Sequence, residues 1–180
     1  LNYCAANPGA SALLRASDMI LHNHSDAAYL VVAQARPRAG GYTFLGSKDS
    51  SRQIHSGPIT IIAKVTKHAM ASAAEAEIAA LFMNARGILP LRATLEELGH
   101  PQPPTPAQAD SNTASGIING IFKQDRSKAI GMRLYWLVGR VEQRQLSVCW
   151  GSGKKNLAGY LTKRHPPSHH KRLRPVYLHT

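Results

Sequence analysis

Asp26, Asp110 and the near-neighbours Glu75 and Glu77 are the side chains whose type and placement suggest joint catalysis by grouped carboxylates. Only 10 of the 180 residues are acidic, so where each one falls is informative. Asp26 sits where a loosely alternating, strand-like stretch (19–28) runs out, and Asp110 ends a short extended segment (107–110). In sheets with parallel neighbours, strand ends of this kind face the functional crevice. Glu75 lies in the first turn of a helical stretch (72–86), three residues before Ile78 and seven before Phe82. Glu77 flanks the same apolar stripe on its other side, so the helical wheel does not choose between them. Each acid also has a plainer role. Glu75 completes an S-x-x-E capping box with Ser72, Asp110 precedes Ser111-Asn112 as an N-cap, and Asp26 can form a turn.

Other reactive groups are sparse. Cys4 and Cys149 form no CxxC and no cluster of metal-ligand spacing, which argues against a disulfide framework and a zinc ribbon. His22 and His24 share a strand face with Asp26 and read as packed or solvated residues, not ligands. The 22 Lys and Arg against 10 acids leave a formal net charge of +12, which points to a polyanionic partner. Arg133, Arg140 and Arg144 recur at i, i+7 and i+11 along and just beyond a helical stretch (127–143), with Trp136 among them. Such a basic stripe can follow a phosphate backbone without reading bases. The terminal run from Lys163 through His165, His169, His170, Arg172 and Arg174 reads as a frayed, disordered basic tail with weak affinity for nucleic acid.

These residues need a scaffold. A chain of this length can bury roughly 70% of its unfolded surface, and its 43% apolar content argues against wholesale disorder. No apolar run approaches the ~20 residues that span a bilayer. The chain opens at Leu1 with no secretory signal, as expected of an intracellular fragment cut from a longer reading frame. Residues 1–17 read as a lead-in. Strands are expected over 19–28, 40–46 and 58–65, with a polar loop at 47–56. A helix over 72–86 carries the stripe Ile78, Leu81, Phe82 and Ala85, and a second helix (91–98) stops at Gly99. A Pro-rich connector (99–107) leads to the extended segment 107–110. Helices at 111–122 and 127–143, a strand at 146–150 and a helix at 156–163 follow. Three strands in a row and then alternation predict an α/β fold: a mixed five-stranded sheet, antiparallel then parallel, flanked by helices.

Six strings in order extend this reading: HSDAAYL (24–30), RAGGYTFLG (38–46), SAAEAEIAALF (72–82), LRATLEELG (91–99), QADSNTASGIING (108–120) and GKKNLAGYLTKRHP (153–166). With them the chain resembles the ribonuclease H domain of copia-type retrotransposon polyproteins, from about residue 18 to 164. Residues 1–17 then correspond to the connection after a reverse transcriptase, and 165–180 to a basic His-rich tail. Integrase- and resolvase-like nucleases share such a fold, but the strings match the RNase H pattern. The resemblance implies cleavage of the RNA strand of RNA–DNA hybrids during reverse transcription. It also implies a two-ion carboxylate site for Mg²⁺ (or Mn²⁺), since hard cations prefer oxygen ligands. It assigns Asp26, Glu75 and Asp110 as catalytic and metal-holding acids, taking Glu75 over Glu77.

The family's fourth acid lies in a string of the form Asn-Leu-Ala-Asp-x-x-Thr-Lys. Here Gly159 stands in its place between Ala158 and Tyr160. Gly131 likewise stands where many relatives carry Asp. The resemblance therefore implies one weakened metal position, impaired activity and a decaying element copy, with an inactive nucleic-acid-binding remnant as the alternative. The expected partners are the hybrid and the reverse transcriptase of the same polyprotein. The expected setting is a cytoplasmic retrotransposon particle or the nucleus, with no membrane involved. If the site is real, the three carboxylates converge and Gly159 borders their pocket.

Overall fold

The computed structural model describes residues 2–32, 36–48, 56–67, 69–121 and 128–179. The elements run α1 (Asn2–Ala6), β1 (Ile20–Val32), β2 (Arg36–Gly46), β3 (Pro58–Val65), α2 (Ala73–Glu97), β4 (Thr105–Ala109), α3 (Asn112–Ile118), α4 (Lys128–Glu142), β5 (Leu146–Trp150), α5 (Gly159–Thr162) and α6 (Pro167–Tyr177). The strands form one five-stranded sheet in the order β3-β2-β1-β4-β5. β1 pairs antiparallel with β2, and β2 with β3, whereas β4 runs parallel to both β1 and β5. This is the mixed sheet the sequence predicts. Most of the expected loop at 47–56, Phe122 at the end of the expected helix 111–122, and Ser127 at the start of 127–143 lie outside the described residues.

The largest departure is α2. In place of two helices, one continuous helix runs from Ala73 to Glu97 with Pro90 inside it. Proline removes one backbone donor and usually kinks or ends a helix. Here the buried face carries on through that point, because Leu81, Asn84, Ile88, Arg92 and Leu95 are all buried. Tertiary packing outweighs the local penalty, and the helix stops only at Leu98 and Gly99, which adopts a φ of +88°.

Arg92 ties this helix to the Pro-rich connector. Its guanidinium donates to the Pro103 carbonyl, to Thr105 Oγ1 at 2.9 Å, to the Gln102 carbonyl at 3.1 Å and to Glu96 at 3.2 Å. These bonds set where β4 begins. Arg92→Ala should cost roughly 2–4 kcal/mol, because it strands buried acceptors as well as losing the bonds. A urea titration read by circular dichroism checks this.

The two faces of the sheet are covered differently. On one, α2, α3 and α4 enclose a core that includes Leu21, Ile78, Leu81, Ile88, Ile118, Leu137 and Leu146. On the other, Tyr42, Phe44 and Leu157 form a smaller cluster against which Tyr177 packs. Residues 165–180, expected to be disordered, instead contain α6. Tyr177 meets Tyr42 edge-on at 5.6 Å, and its hydroxyl donates to the Leu157 carbonyl at 2.6 Å. The buried aromatics of β2 need a cover, and α6 supplies part of it. Ser11 and His179 pair across the chain ends in an isolated bridge. The segment before β1 is thus joined to the last helix.

Gly40 and Gly41 let both layers approach β2 closely. A Cβ at Gly40 would lie 2.6 Å from Thr162 Cγ2, and one at Gly41 would lie 1.8 Å from Asn84 Oδ1. The first contact seats α5 against one face of the sheet, and the second seats α2 against the other.

Candidate active site

Parallel pairing brings two of the acids together. Asn23 lies opposite Ala107 and His24 opposite Gln108. Continuing that register by two residues sets Asp110, just past the end of β4, beside Asp26 within β1. The third acid comes from α2. Glu77 is buried and its Oε1 accepts the Ala27 N–H at 3.0 Å. One oxygen each from Asp26, Glu77 and Asp110 lies within 4.8 Å of the others.

Glu75, the residue chosen by the resemblance, is not in this group. Its backbone N–H donates to Ser72 Oγ at 3.1 Å, and its carboxylate accepts the Ala71 N–H. It does the work of the helix cap. Two residues further along a helix is about 200° around the axis, so Glu77 and Glu75 cannot share a direction. A signal for Glu77 was present in the sequence. Glu77, Leu81, Asn84 and Ile88 follow at i, i+4, i+7 and i+11, a single face of α2. Asn84 on that face meets β1 and β2, donating to Ser25 Oγ at 3.1 Å and to the Gly40 carbonyl at 3.0 Å.

The site's electrostatics follow from crowding. Burial, reinforced by the charges of Asp26 and Asp110, pushes the Glu77 carboxyl up from 4.5 to about 8. Asp110 is also raised, by burial first and by Asp26 next. Like charges held together in a low dielectric resist joint ionisation. Glu77 Oε2 is buried without a hydrogen-bond partner. Three hard oxygen donors, mutual repulsion and one unpartnered buried oxygen fit a divalent cation such as Mg²⁺.

The Glu77 shift has a measurable consequence in chelator. Between about pH 4.5 and about pH 8 the folded protein keeps a proton that the unfolded chain has released, so stability falls as pH rises through that window. Glu77→Gln removes this titration. Its melting temperature should fall less than that of the parent across the window. It should also exceed the parent's near the upper end, by the equivalent of ~2 kcal/mol. Calorimetric scans in chelator check both points.

The segment after β5 closes the other side. Asn156 Nδ2 donates to the Ser25 carbonyl at 2.7 Å, and the Leu157 N–H donates to His24 Nδ1 at 3.1 Å. These bonds strap residues 156–157 to β1 and set α5 beside Asp26. Thr162 Oγ1 donates to Asp26 Oδ2, and Lys163 Nζ lies 3.8 Å from Asp26 Oδ1. A Cβ at Gly159 would stand 4.0 Å from Asp26 Cγ. Position 159 therefore borders the carboxylates, as expected. His22 and His24 are buried against Phe44 in the sheet.

The four residues of the expected basic stripe are placed differently from one another. Trp136 packs edge-on against Phe82 at 5.1 Å, and the Arg140 guanidinium sits 4.9 Å over its ring. Arg140 also donates to the side chains of Gln143 and Gln145. Trp136 and Arg140 thus occupy each other. Arg144 stands beyond the end of α4 at a φ of +55° and is exposed. Arg133 is half-buried and lines a small cavity with Lys64, Lys67 and Arg86.

Comparison with known proteins adds similarities of sequence and fold. No protein-family model matches the chain. Over 163 residues, 91% of its length, the chain is 28% identical to the retrovirus-related Pol polyprotein from transposon TNT 1-94 of Nicotiana tabacum. It spans only 12% of that polyprotein. Among solved structures, it is similar to the N-terminal RNase H domain of a Mycobacterium tuberculosis protein. That match has a TM-score of 0.54 and 14% identity, covering 80% of this chain and 91% of that one. It is also similar to an RNase H1 isolated from compost by a metagenomic approach, at a TM-score of 0.53 and 14% identity, covering 79% and 91%. The same enzyme in complex with an RNA/DNA hybrid matches at a TM-score of 0.51 and 14% identity, covering 79% and 92%. Among the described residues, no helix is long and apolar enough to cross a membrane. The chain is thus similar along nearly its whole length to a retrotransposon Pol polyprotein, and it has the fold of the solved RNases H.

Proposed function

We propose that the chain hydrolyses phosphodiesters in the RNA strand of RNA–DNA hybrids, inside the cell and during reverse transcription of a copia-type element. The meeting of Asp26, Glu77 and Asp110 oxygens within 4.8 Å carries this reading. These three residues would hold Mg²⁺ or Mn²⁺ in a two-ion site. Bound divalent cations supply an activated water and neutralise charge on the reacting phosphate. The chain's own residues do the rest. Thr162 fixes the Asp26 carboxylate by its hydroxyl, and Lys163 offsets part of the negative charge. Gly159 offers no oxygen beside Asp26, so one ion position is weak and turnover is low. The catalytic unit is residues 18–164, with 1–17 linking it to a preceding reverse transcriptase.

The direct test is cleavage of an end-labelled hybrid in Mg²⁺ and in Mn²⁺. Slow, chelator-sensitive cutting of the RNA strand, lost in Asp26→Asn and in Asp110→Asn, supports the reading. The absent carboxylate at position 159 favours a second one, a silent module that binds hybrid without cutting it. Hybrid binding with no metal requirement and no turnover, unchanged in Asp110→Asn, would select that second reading.

A further inference from the structure

The last described stretch of the chain builds a second feature that the carboxylate site does not use. Between the loop after β5 and helix α6 lies a cavity of about 680 Å³. Lys154, Lys155, Lys163, His165, His169 and Arg172 line it, and none of its lining residues is acidic. The imbalance reaches beyond the cavity. From Gln143 to Thr180 the sequence holds eight Lys and Arg and no Asp or Glu. Like charges gathered round one cavity repel each other; Asp26 offsets Lys163, and no acid lines the cavity beside the rest. A cover for Tyr42 and Phe44 needs apolar groups such as Tyr177, not a ring of cations.

The cavity adjoins the acids. Gly159 and Lys163 line it, and the same two residues border Asp26 on its other side. A polyanion seated in the cavity would therefore lead directly onto the carboxylates. We propose that this cleft holds the sugar–phosphate backbone of a nucleic-acid strand, gripping the phosphates next to the one presented to Asp26, Glu77 and Asp110. Lys154, Lys155 and Arg172 make the grip, and all three are exposed. Arg172 is held in place by a 3.0 Å contact with His169 Nδ1. Charge and shape alone decide binding here, so the contact is blind to sequence. This inference rests on the proposed hybrid substrate, and it moves the main backbone contact from the α4 stripe to the α5–α6 side.

The test is fluorescence anisotropy of a labelled RNA–DNA hybrid in chelator, so that catalysis plays no part. The triple variant Lys154→Ala/Lys155→Ala/Arg172→Ala should bind about tenfold or more weakly at ~0.1 M salt. The slope of its log affinity against log salt should fall by about 2–3. Lys154→Arg/Lys155→Arg should bind like the parent, and Arg133→Ala/Arg144→Ala should lose less than the triple. Circular dichroism melts confirm that each variant is folded. An unchanged affinity and slope in the folded triple would overturn the inference. So would equal competition by poly-glutamate at matched charge, which would assign the cleft to an acidic protein partner. If the parent cuts hybrid and the triple binds and cuts alike, only the cleft is lost. If the parent neither binds nor cuts hybrid, the proposed function falls with it.

Discussion

Gly159→Asp is expected to raise metal-dependent hybrid cleavage by ~100-fold or more and to tighten Mn²⁺ binding alongside it. The geometry favours the change. A Cβ at this position stands at ordinary contact distance, 4.0 Å, from Asp26 Cγ, so nothing need move to admit it. As the first residue of α5, an added Asp also meets the favourable end of the helix dipole. The charge balance explains the size of the effect. With Asp26, Glu77 and Asp110 ionised around a bound ion and Lys163 beside them, the site carries two net negative charges, which offsets one divalent cation. A second ion would add its own repulsion from the first. One more carboxylate contributes ~4 kcal/mol for unit charges at ~4 Å and an effective dielectric of ~20, a ceiling near a thousandfold in rate. Calorimetric titration with Mn²⁺ and a cleavage assay on the same preparations read the two effects separately. A folded Gly159→Asp protein with unaltered ion affinity and unaltered cutting would remove position 159 from the site.

Glu77→Gln and Glu75→Gln should part company in that restored background. Glu77 brings one oxygen into the acidic group and leaves the other buried and unpartnered, so its loss takes a full charge from the ions. Cleavage should fall by about a hundredfold to a thousandfold, with weaker Mn²⁺ binding. Glu75 holds the Ala71 N–H at the helix start, and an amide oxygen can accept that bond. Its variant should lose at most ~1 kcal/mol of stability and keep its Mn²⁺ affinity. Equal losses of ion binding in the two variants would contradict the assignment of Glu77. Because Glu77→Gln is expected to gain stability in chelator near neutral pH, lost activity there cannot be put down to unfolding.

Local patterns determine a good part of this molecule. The strand limits 58–65 and 146–150 could be read directly, because β-branched or alternating runs end at Gly, Pro or polar residues. The order of elements was enough for a mixed sheet, since consecutive strands pair antiparallel and helical crossovers return the chain parallel. Asp110 was legible because it stands just past the end of β4, whereas Asp26, expected where its strand runs out, lies in the middle of β1, which continues to Val32. The rest depended on three dimensions. Pro90 is a helix breaker by every local rule, yet α2 runs through it because Ile88, Arg92 and Leu95 all find buried places on one side of it. The basic tail looked disordered for want of an apolar period, and only the face of the folded sheet that carries Tyr42 and Phe44 gives Tyr177 a reason to dock. Glu75 and Glu77 are both acids in one helical turn. Which one reaches Asp26 is decided by how α2 is rotated about its axis, through Asn84 against Gly41 and Glu77 against Ala27; the face shared by Glu77, Leu81, Asn84 and Ile88 hints at that rotation, but contacts more than forty residues apart set it.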